Sequence, residues 1–225
     1  MSVGGARVLA WDGPTRVFKW TLVLLVLDGW VSNRFGASLP QWHIWNGYLA
    51  LTLVVFRVLW GFVGGSTARF SSFVAGPRRA LAYLRGAKYL GHNPFGGWMA
   101  LGLLALVAAQ ALTGLFSADE DRLIIEGPLA GKVSDATVAF ASHRHHLIFA
   151  ALEVLIVVHI AVNLFYAAFR RDPLVKAMVT GEKPAADYAD MRSAAAGSWG
   201  RAAVCLAIAA ALVFGGITAA GGRLF

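Results

Sequence analysis

Five long runs of apolar residues, separated by polar segments, dominate the sequence and predict helices that cross a membrane. A run of about 20 apolar residues in helical conformation spans the hydrocarbon core of a bilayer. The runs occupy residues 16–31, 41–63, 96–116, 142–169 and 202–222. Small residues in the fifth run favour close helix packing, although its glycine pairs weaken the helix. We therefore expect an all-α integral membrane protein.

Composition and charge support this interpretation and give an orientation. Hydrophobic residues make up 58% of the chain and charged residues 14%, which is too apolar for an ordinary soluble domain. The net charge of +8 comes from basic residues between the apolar runs, which indicates membrane topology rather than nucleic-acid binding. Segment 65–95 has basic residues and no acidic ones, whereas 117–142 is acidic on balance. The amino terminus, 65–95 and 170–201 are therefore expected on the cytoplasmic side of the membrane.

The fourth run has histidines at both ends, and two of them share one helix face. His145 and His159 lie 14 residues apart, which is four turns less about 40°, with a rise of about 21 Å. His143 and His146 are rotated about 160° and 140° from His159. Two histidines on one inward face suit a bundle that holds two stacked haems, with the opposite ligands on neighbouring helices. Interfacial solvation of His145 and a hydrogen bond from His159 to a neighbouring helix are the alternatives.

The remaining ligands follow from topology and cysteine content. A single cysteine, Cys205, excludes an internal disulfide and a Cys-x-x-Cys-His attachment site, so any haem is expected to be a non-covalent b-type haem. The second and fourth runs both point inward, which places His43 at the same outer level as His145. Gly47, one turn after His43, either leaves room for a flat macrocycle or only allows close helix packing at the entry of the span. At the cytoplasmic level the first run offers Lys19.

Several short motifs together resemble one family. They are WDGPTRVF at 11–18, His43 with Gly47-Tyr48, FRVLWGF at 56–62, GHNPFGG at 91–97 and the histidines of the fourth run. Over about residues 9–183 the chain resembles the bacterial transmembrane cytochrome b561 family, which includes the b-type cytochrome subunits of nickel–iron hydrogenases. The resemblance implies a four-helix haem-binding bundle, here with an added fifth transmembrane helix. It also implies two b haems, with ligands from the first, second and fourth spans.

The chain departs from the family pattern in the first span, where Lys19 occupies the position of a histidine. Three interpretations remain open. Lys19 ligates the inner haem through a neutral amine opposite His159, which requires burial and iron to lower its pKa. Alternatively, the inner haem is five-coordinate or bound through another group. In the third interpretation this haem is absent and Lys19 extends to the cytoplasmic surface.

Three further polar residues have both a functional and a structural interpretation. Arg57, inside the second span, either pairs with a haem propionate or extends to the cytoplasmic interface. His92 hydrogen-bonds a propionate, lines a quinone site or stabilises the turn before the third span. Asp28 moves protons, orients an outer histidine or faces water at the interface.

The resemblance implies a membrane-bound dihaem cytochrome that transfers electrons between a redox protein and the quinone pool or another carrier. A c-type cytochrome and a hydrogenase-like complex are the partner classes considered, and a homodimer stays open. The expected organisation is a cytochrome b561-like transmembrane domain at 1–183, a cytoplasmic linker at 184–201 and an additional transmembrane helix at 202–222. The alternatives are an oxidoreductase acting directly on quinol or superoxide, and a one-haem membrane anchor of an electron-transfer complex.

Overall fold

The computed structural model describes residues 6–35, 40–85, 89–119, 125–169, 174–185 and 194–224, and helices account for most of them. The helices are α1 (Gly13–Phe35), α2 (Pro40–Val63), α3 (Phe70–Phe73), α4 (Pro77–Leu84), α5 (Pro94–Gly114), α6 (Asp135–Phe169), α7 (Leu174–Thr180) and α8 (Trp199–Ala219), with a short 3-10 helix at Ala130–Lys132. The strands are β1 (Arg7–Leu9), β2 (Ala118–Asp119), β3 (Ile125–Glu126) and β4 (Glu182–Pro184). The all-α prediction is confirmed.

Four helices within the described residues are long and apolar enough to cross a membrane. They are α2 from Gln41, α5, α6 and α8. Helix α1 is 23 residues long, but its mean hydropathy is lower because Lys19 and Asp28 interrupt its apolar run. The chain is thus a multi-pass membrane protein. The predicted first span lies within α1, and its passage through the bilayer stays a prediction.

Local capping explains where the helices differ from the predicted runs. Helix α5 begins at Pro94, because Asn93 precedes it and accepts a hydrogen bond from the Gly96 N–H at 2.7 Å. Asparagine at the cap followed by proline is a favoured helix start. Helix α6 begins at Asp135 rather than near residue 142, after Ser134, whose carbonyl accepts the Thr137 N–H at 2.8 Å. Both starts depend on polar residues that lie outside the apolar runs.

The chain divides into two compact units, and the first comprises Met1–Phe18, Val58–Gly102 and Ile156–Val204. Its polar centre is the buried Asp12. The Asp12 carboxylate accepts the backbone N–H groups of Thr15 at 2.9 Å, Gly65 at 3.1 Å and Gly197 at 3.2 Å. Since Gly197 falls in the segment predicted to be a linker, part of that segment is fixed to this unit.

Strands β1 and β4 join the two ends of the first unit. They pair antiparallel, with Arg7 opposite Pro184. Gly181, which follows α7, has a φ of +86°, a conformation that favours glycine. Its carbonyl accepts the N–H groups of Ala10 at 2.7 Å and Trp11 at 3.0 Å, so residues 7–11 are fixed to the segment that follows α7.

The second unit comprises Lys19–Arg57, Leu103–Leu155 and Cys205–Phe225. Its core joins residues of α2, α5 and α8 with the loop that precedes α6. The buried members are Tyr48, Leu51, Ala111, Leu115, Leu129, Val213 and Ile217. Helix α8 is therefore part of this core, and the Tyr48 hydroxyl donates to the carbonyl of Arg223 beyond its end at 3.3 Å.

Candidate functional site

Two of the predicted histidines lie side by side in the second unit. His43 is in the first turn of α2 and His145 is on α6, with ring centroids 6.4 Å apart and an angle of 82° between the ring planes. Two imidazoles bound to opposite sides of one metal ion, through metal–nitrogen bonds of about 2.0–2.1 Å, have centroids about 6.4 Å apart. The spacing of the pair therefore fits a shared metal ion.

The hydrogen bonds at Nδ1 favour an unprotonated Nε2 atom in both rings. The His145 Nδ1 lies 3.0 Å from the Gln110 carbonyl oxygen, which only accepts, so Nδ1 carries the proton. The His43 Nδ1 lies 3.1 Å from the Ser32 hydroxyl, which is also 3.3 Å from the Gly29 carbonyl. If Ser32 donates to Gly29, it accepts from His43. Metal-binding histidines are commonly oriented by such bonds from the other ring nitrogen.

The side chain of Gln110 lies where a metal ion would approach His145. Its Nε2 is 2.9 Å from the His145 Nε2. Its buried Oε1 has no hydrogen-bond partner among the described residues. An unsatisfied buried amide oxygen is unfavourable. A metal ion bound to the His145 Nε2 would have to displace this carboxamide.

A cavity surrounds the two rings, with about 1150 Å³ of space between protein atoms, including the part that is open. Its lining is mostly apolar, as in typical cofactor sites. Gly29, Gly47 and Gly114 are among the lining residues. A Cβ atom at Gly47 would meet nothing within 4 Å, whereas one at Gly114 would lie 3.0 Å from the His145 Cε1. The space beside Gly47 thus admits a flat apolar group.

The other predicted site residues do not line this cavity. Arg57 is buried on α2 and Lys19 is half-buried on α1, both in the second unit. His159 is an exposed residue of the first unit, and its Nε2 lies 3.2 Å from the Asn163 amide nitrogen. His92, also in the first unit, packs against aromatic rings. The structure therefore brings together His43, His145 and Gly47 of the predicted set.

The contacts of His92 and Asp28 give each a structural role. The His92 ring centroid lies 4.6 Å from that of Trp11 and 4.8 Å from that of Phe73. The Asp28 carboxylate accepts a hydrogen bond from Asn46, which also donates to a backbone carbonyl of α1 and lines the cavity. Asp28 thus positions a residue of the cavity wall.

Sequence reasoning missed three residues of this site. Ser32 and Gln110 orient the histidines, and His146, which the sequence analysis placed off the His159 face of the helix, lines the cavity. The sequence offered two signals: Ser32 directly follows the first apolar run, and Gln110 is a polar residue inside the third run. Among the described residues, no group of three or more His, Cys, Asp or Glu side chains could hold a metal ion. The histidine pair is thus separate from any larger cluster of protein ligands.

Comparison with known proteins gives one match. The family model described as prokaryotic cytochrome b561 matches residues 10–181, which confirms the resemblance seen in the sequence. No curated protein and no solved structure matches the chain. The matched range contains the cavity histidines and ends before α8.

Proposed function

The chain belongs to the prokaryotic cytochrome b561 family, and from this we propose that it is a dihaem electron carrier between a redox protein and the quinone pool. The family assignment itself makes it a membrane b-type cytochrome of electron transfer. The finer elements of the proposal are the two haems, their ligands and the partners. A c-type cytochrome or a hydrogenase-like complex is the proposed class of protein partner.

The observation that carries the proposal is the His43–His145 pair, with its 6.4 Å spacing. In the proposed outer site the Nε2 atoms of His43 and His145 would hold the haem iron. Ser32 and the Gln110 carbonyl would hold the rings in the required tautomer, and the mostly apolar lining would limit contact with water. A b haem bound there supplies reversible one-electron transfer. Gly47 gives the flat ring access to the backbone of α2.

The proposed inner site uses His159 with Lys19. Its support is the position of His159 on the same helix face as His145, and the position of Lys19 where the family has a histidine. Arg57 and His92 are proposed to interact with haem propionates, and His92 is also a candidate for contact with quinone. A single-haem protein is the second candidate, because His159 is exposed.

We further propose that the protein lies in a bacterial inner membrane with its amino terminus in the cytoplasm. The support is the distribution of basic residues. Segment 65–95 has no acidic residue, whereas the segment between α5 and α6 is acidic on balance. Positively charged segments remain preferentially on the cytoplasmic side.

The test is the haem content per polypeptide, with low-temperature optical and paramagnetic resonance spectra. We expect two haems in the wild type and loss of one low-spin signal in His43→Ala. Lys19→Met should alter only the other signal. His143→Ala, which changes an exposed residue of the same helix, is the matched control.

The outcomes separate the candidates. If the wild type contains one haem, which His43→Ala removes and Lys19→Met leaves unchanged, the protein binds a single haem. An unchanged spectrum in His43→Ala would refute the outer site. A purified wild type without haem would refute the electron-carrier function.

A further inference from the structure

A carboxylate that the sequence reasoning did not use lies in the apolar part of α6. Glu153 belongs to a candidate membrane span, and it is exposed. Its carboxylate accepts a hydrogen bond from the Trp30 indole N–H at 3.0 Å. Val154 and Val157 beside it are each 66% exposed. In the described part of the chain, no basic side chain forms an ion pair with Glu153.

The Trp30–Glu153 pair is adjacent in sequence to the lining of the histidine cavity. Gly29 and Leu152 line that cavity, and each directly precedes one member of the pair. Leu152 is 3% exposed, and Gly29 contributes no side chain. On both α1 and α6, the pair is thus one residue along the helix from a residue of the cavity lining.

An ionisable side chain that faces hydrocarbon is costly and usually has a function. A ligand that satisfies this carboxylate must dissolve in the bilayer and donate a hydrogen bond. An exposed indole edge, from a tryptophan that is 42% exposed, favours a flat ring beside it. A hydroquinone has all three properties.

We propose that Glu153 and Trp30 form the binding site for the ring of a membrane-dissolved hydroquinone, with the Glu153 carboxylate accepting one hydroxyl. The inference rests on the proposed function, because the bound ring needs the outer haem as its electron acceptor. Oxidation to the quinone breaks two O–H bonds and releases two protons and two electrons. Glu153 takes one proton and water at the outer surface takes the other. A haem held by His43 and His145 would supply the one-electron acceptor, and the redox protein partner would take the two electrons from it one after the other.

The test uses the full-length haem-loaded protein in lipid nanodiscs, with decyl-ubiquinol as the probe. Glu153→Gln keeps the shape of the side chain and removes its charge and basicity. Loss of a hydrogen bond to a charged group should raise the quinol concentration needed for half-saturation, or lower the rate of haem reduction, by about 10- to 100-fold. Trp30→Phe should show a smaller loss. Asp135→Asn, which changes an exposed acid at the start of the same helix, is the matched control.

Two additional readouts separate this site from the haem site. Haem content and reduction by dithionite should be unchanged in Glu153→Gln. Infrared difference spectra on adding the quinol should show a carboxyl signal in the wild type and in Asp135→Asn, and not in Glu153→Gln.

Equal quinol kinetics and infrared spectra in Glu153→Gln and the control would overturn the inference. A haem-loaded wild type that decyl-ubiquinol does not reduce would also overturn it, while the haem site would stand. Loss of haem in the wild type would instead refute the proposed function on which the inference depends.

Discussion

Replacing Ser32 by alanine tests whether the cavity is built to orient His43. Ser32 is 9% exposed, and its hydroxyl lies 3.1 Å from the His43 Nδ1 and 3.3 Å from the Gly29 carbonyl. The substitution removes both contacts and leaves the Nδ1–H without its acceptor. The ring then loses the preference for the tautomer and rotamer that present Nε2 to iron.

Loss of such an orienting hydrogen bond lowers metal affinity by about 10- to 100-fold, which corresponds to about 1.4–2.7 kcal/mol. We therefore expect Ser32→Ala to weaken haem binding by this factor. The lost hydroxyl should also lower the free energy of unfolding by about 1 kcal/mol. The effect on haem affinity should thus exceed the general effect on stability.

The assay is titration of haem into the haem-free protein, followed by the low-spin spectrum and thermal unfolding in detergent. Thr52→Val is the matched control, because Thr52 is also buried in this unit and its hydroxyl bonds to the Tyr48 carbonyl at 2.8 Å. The control should lose a similar amount of stability and keep its haem affinity. Equal haem affinities in Ser32→Ala and Thr52→Val would refute the reasoning.

Three other substitutions probe separate features. Gly114→Ala places a Cβ 3.0 Å from the His145 Cε1, so the imidazole ring must shift by a few tenths of an ångström. We expect an altered low-spin haem signal in a protein that still folds. A paramagnetic resonance spectrum identical to that of the wild type would contradict this. Asp12→Ala leaves buried backbone N–H groups without their acceptor and should lower the free energy of unfolding by roughly 3 kcal/mol, measured by thermal unfolding against the exposed control Asp135→Ala. Glu182→Gln removes an ion pair with Arg7 in which both side chains are 46% exposed. The free energy of unfolding should therefore change by less than about 1 kcal/mol. A larger decrease in the same thermal unfolding assay would contradict this.

The positions of His43 and His145 could be predicted because both depend on helix rise and topology. A histidine in the first turn of an inward helix and one near the start of another inward helix must lie at similar depths. The structure places their rings next to each other, and their role as haem ligands stays a prediction. Ser32 and Gln110 could not be predicted, because their contacts depend on helix rotation and on which helices are neighbours.

The strand pair and the helix starts show a second limit of the sequence pattern. Strands β1 and β4 have three residues each and lack an alternation long enough to indicate a sheet. Their pairing depends on tertiary contacts from distant parts of the chain. The start of α5 was missed by two residues because the apolar run was used to locate it, although the signal was the Asn93-Pro94 cap. Hydrophobic patterns locate the spans well and their ends poorly.

The pairing of β1 with β4 constrains the order of biosynthesis. A ribosome delivers Arg7–Leu9 first, and the partner strand emerges only after α1, α2, α5 and α6 have been translated. The acceptor of the Ala10 and Trp11 N–H groups, the Gly181 carbonyl, arrives at the same late stage. Nascent chains shorter than this point lack the partners that fix the amino-terminal segment. Closure of the first unit consequently waits until β4 has been translated, and a chain truncated before β4 lacks the pairing partner of β1.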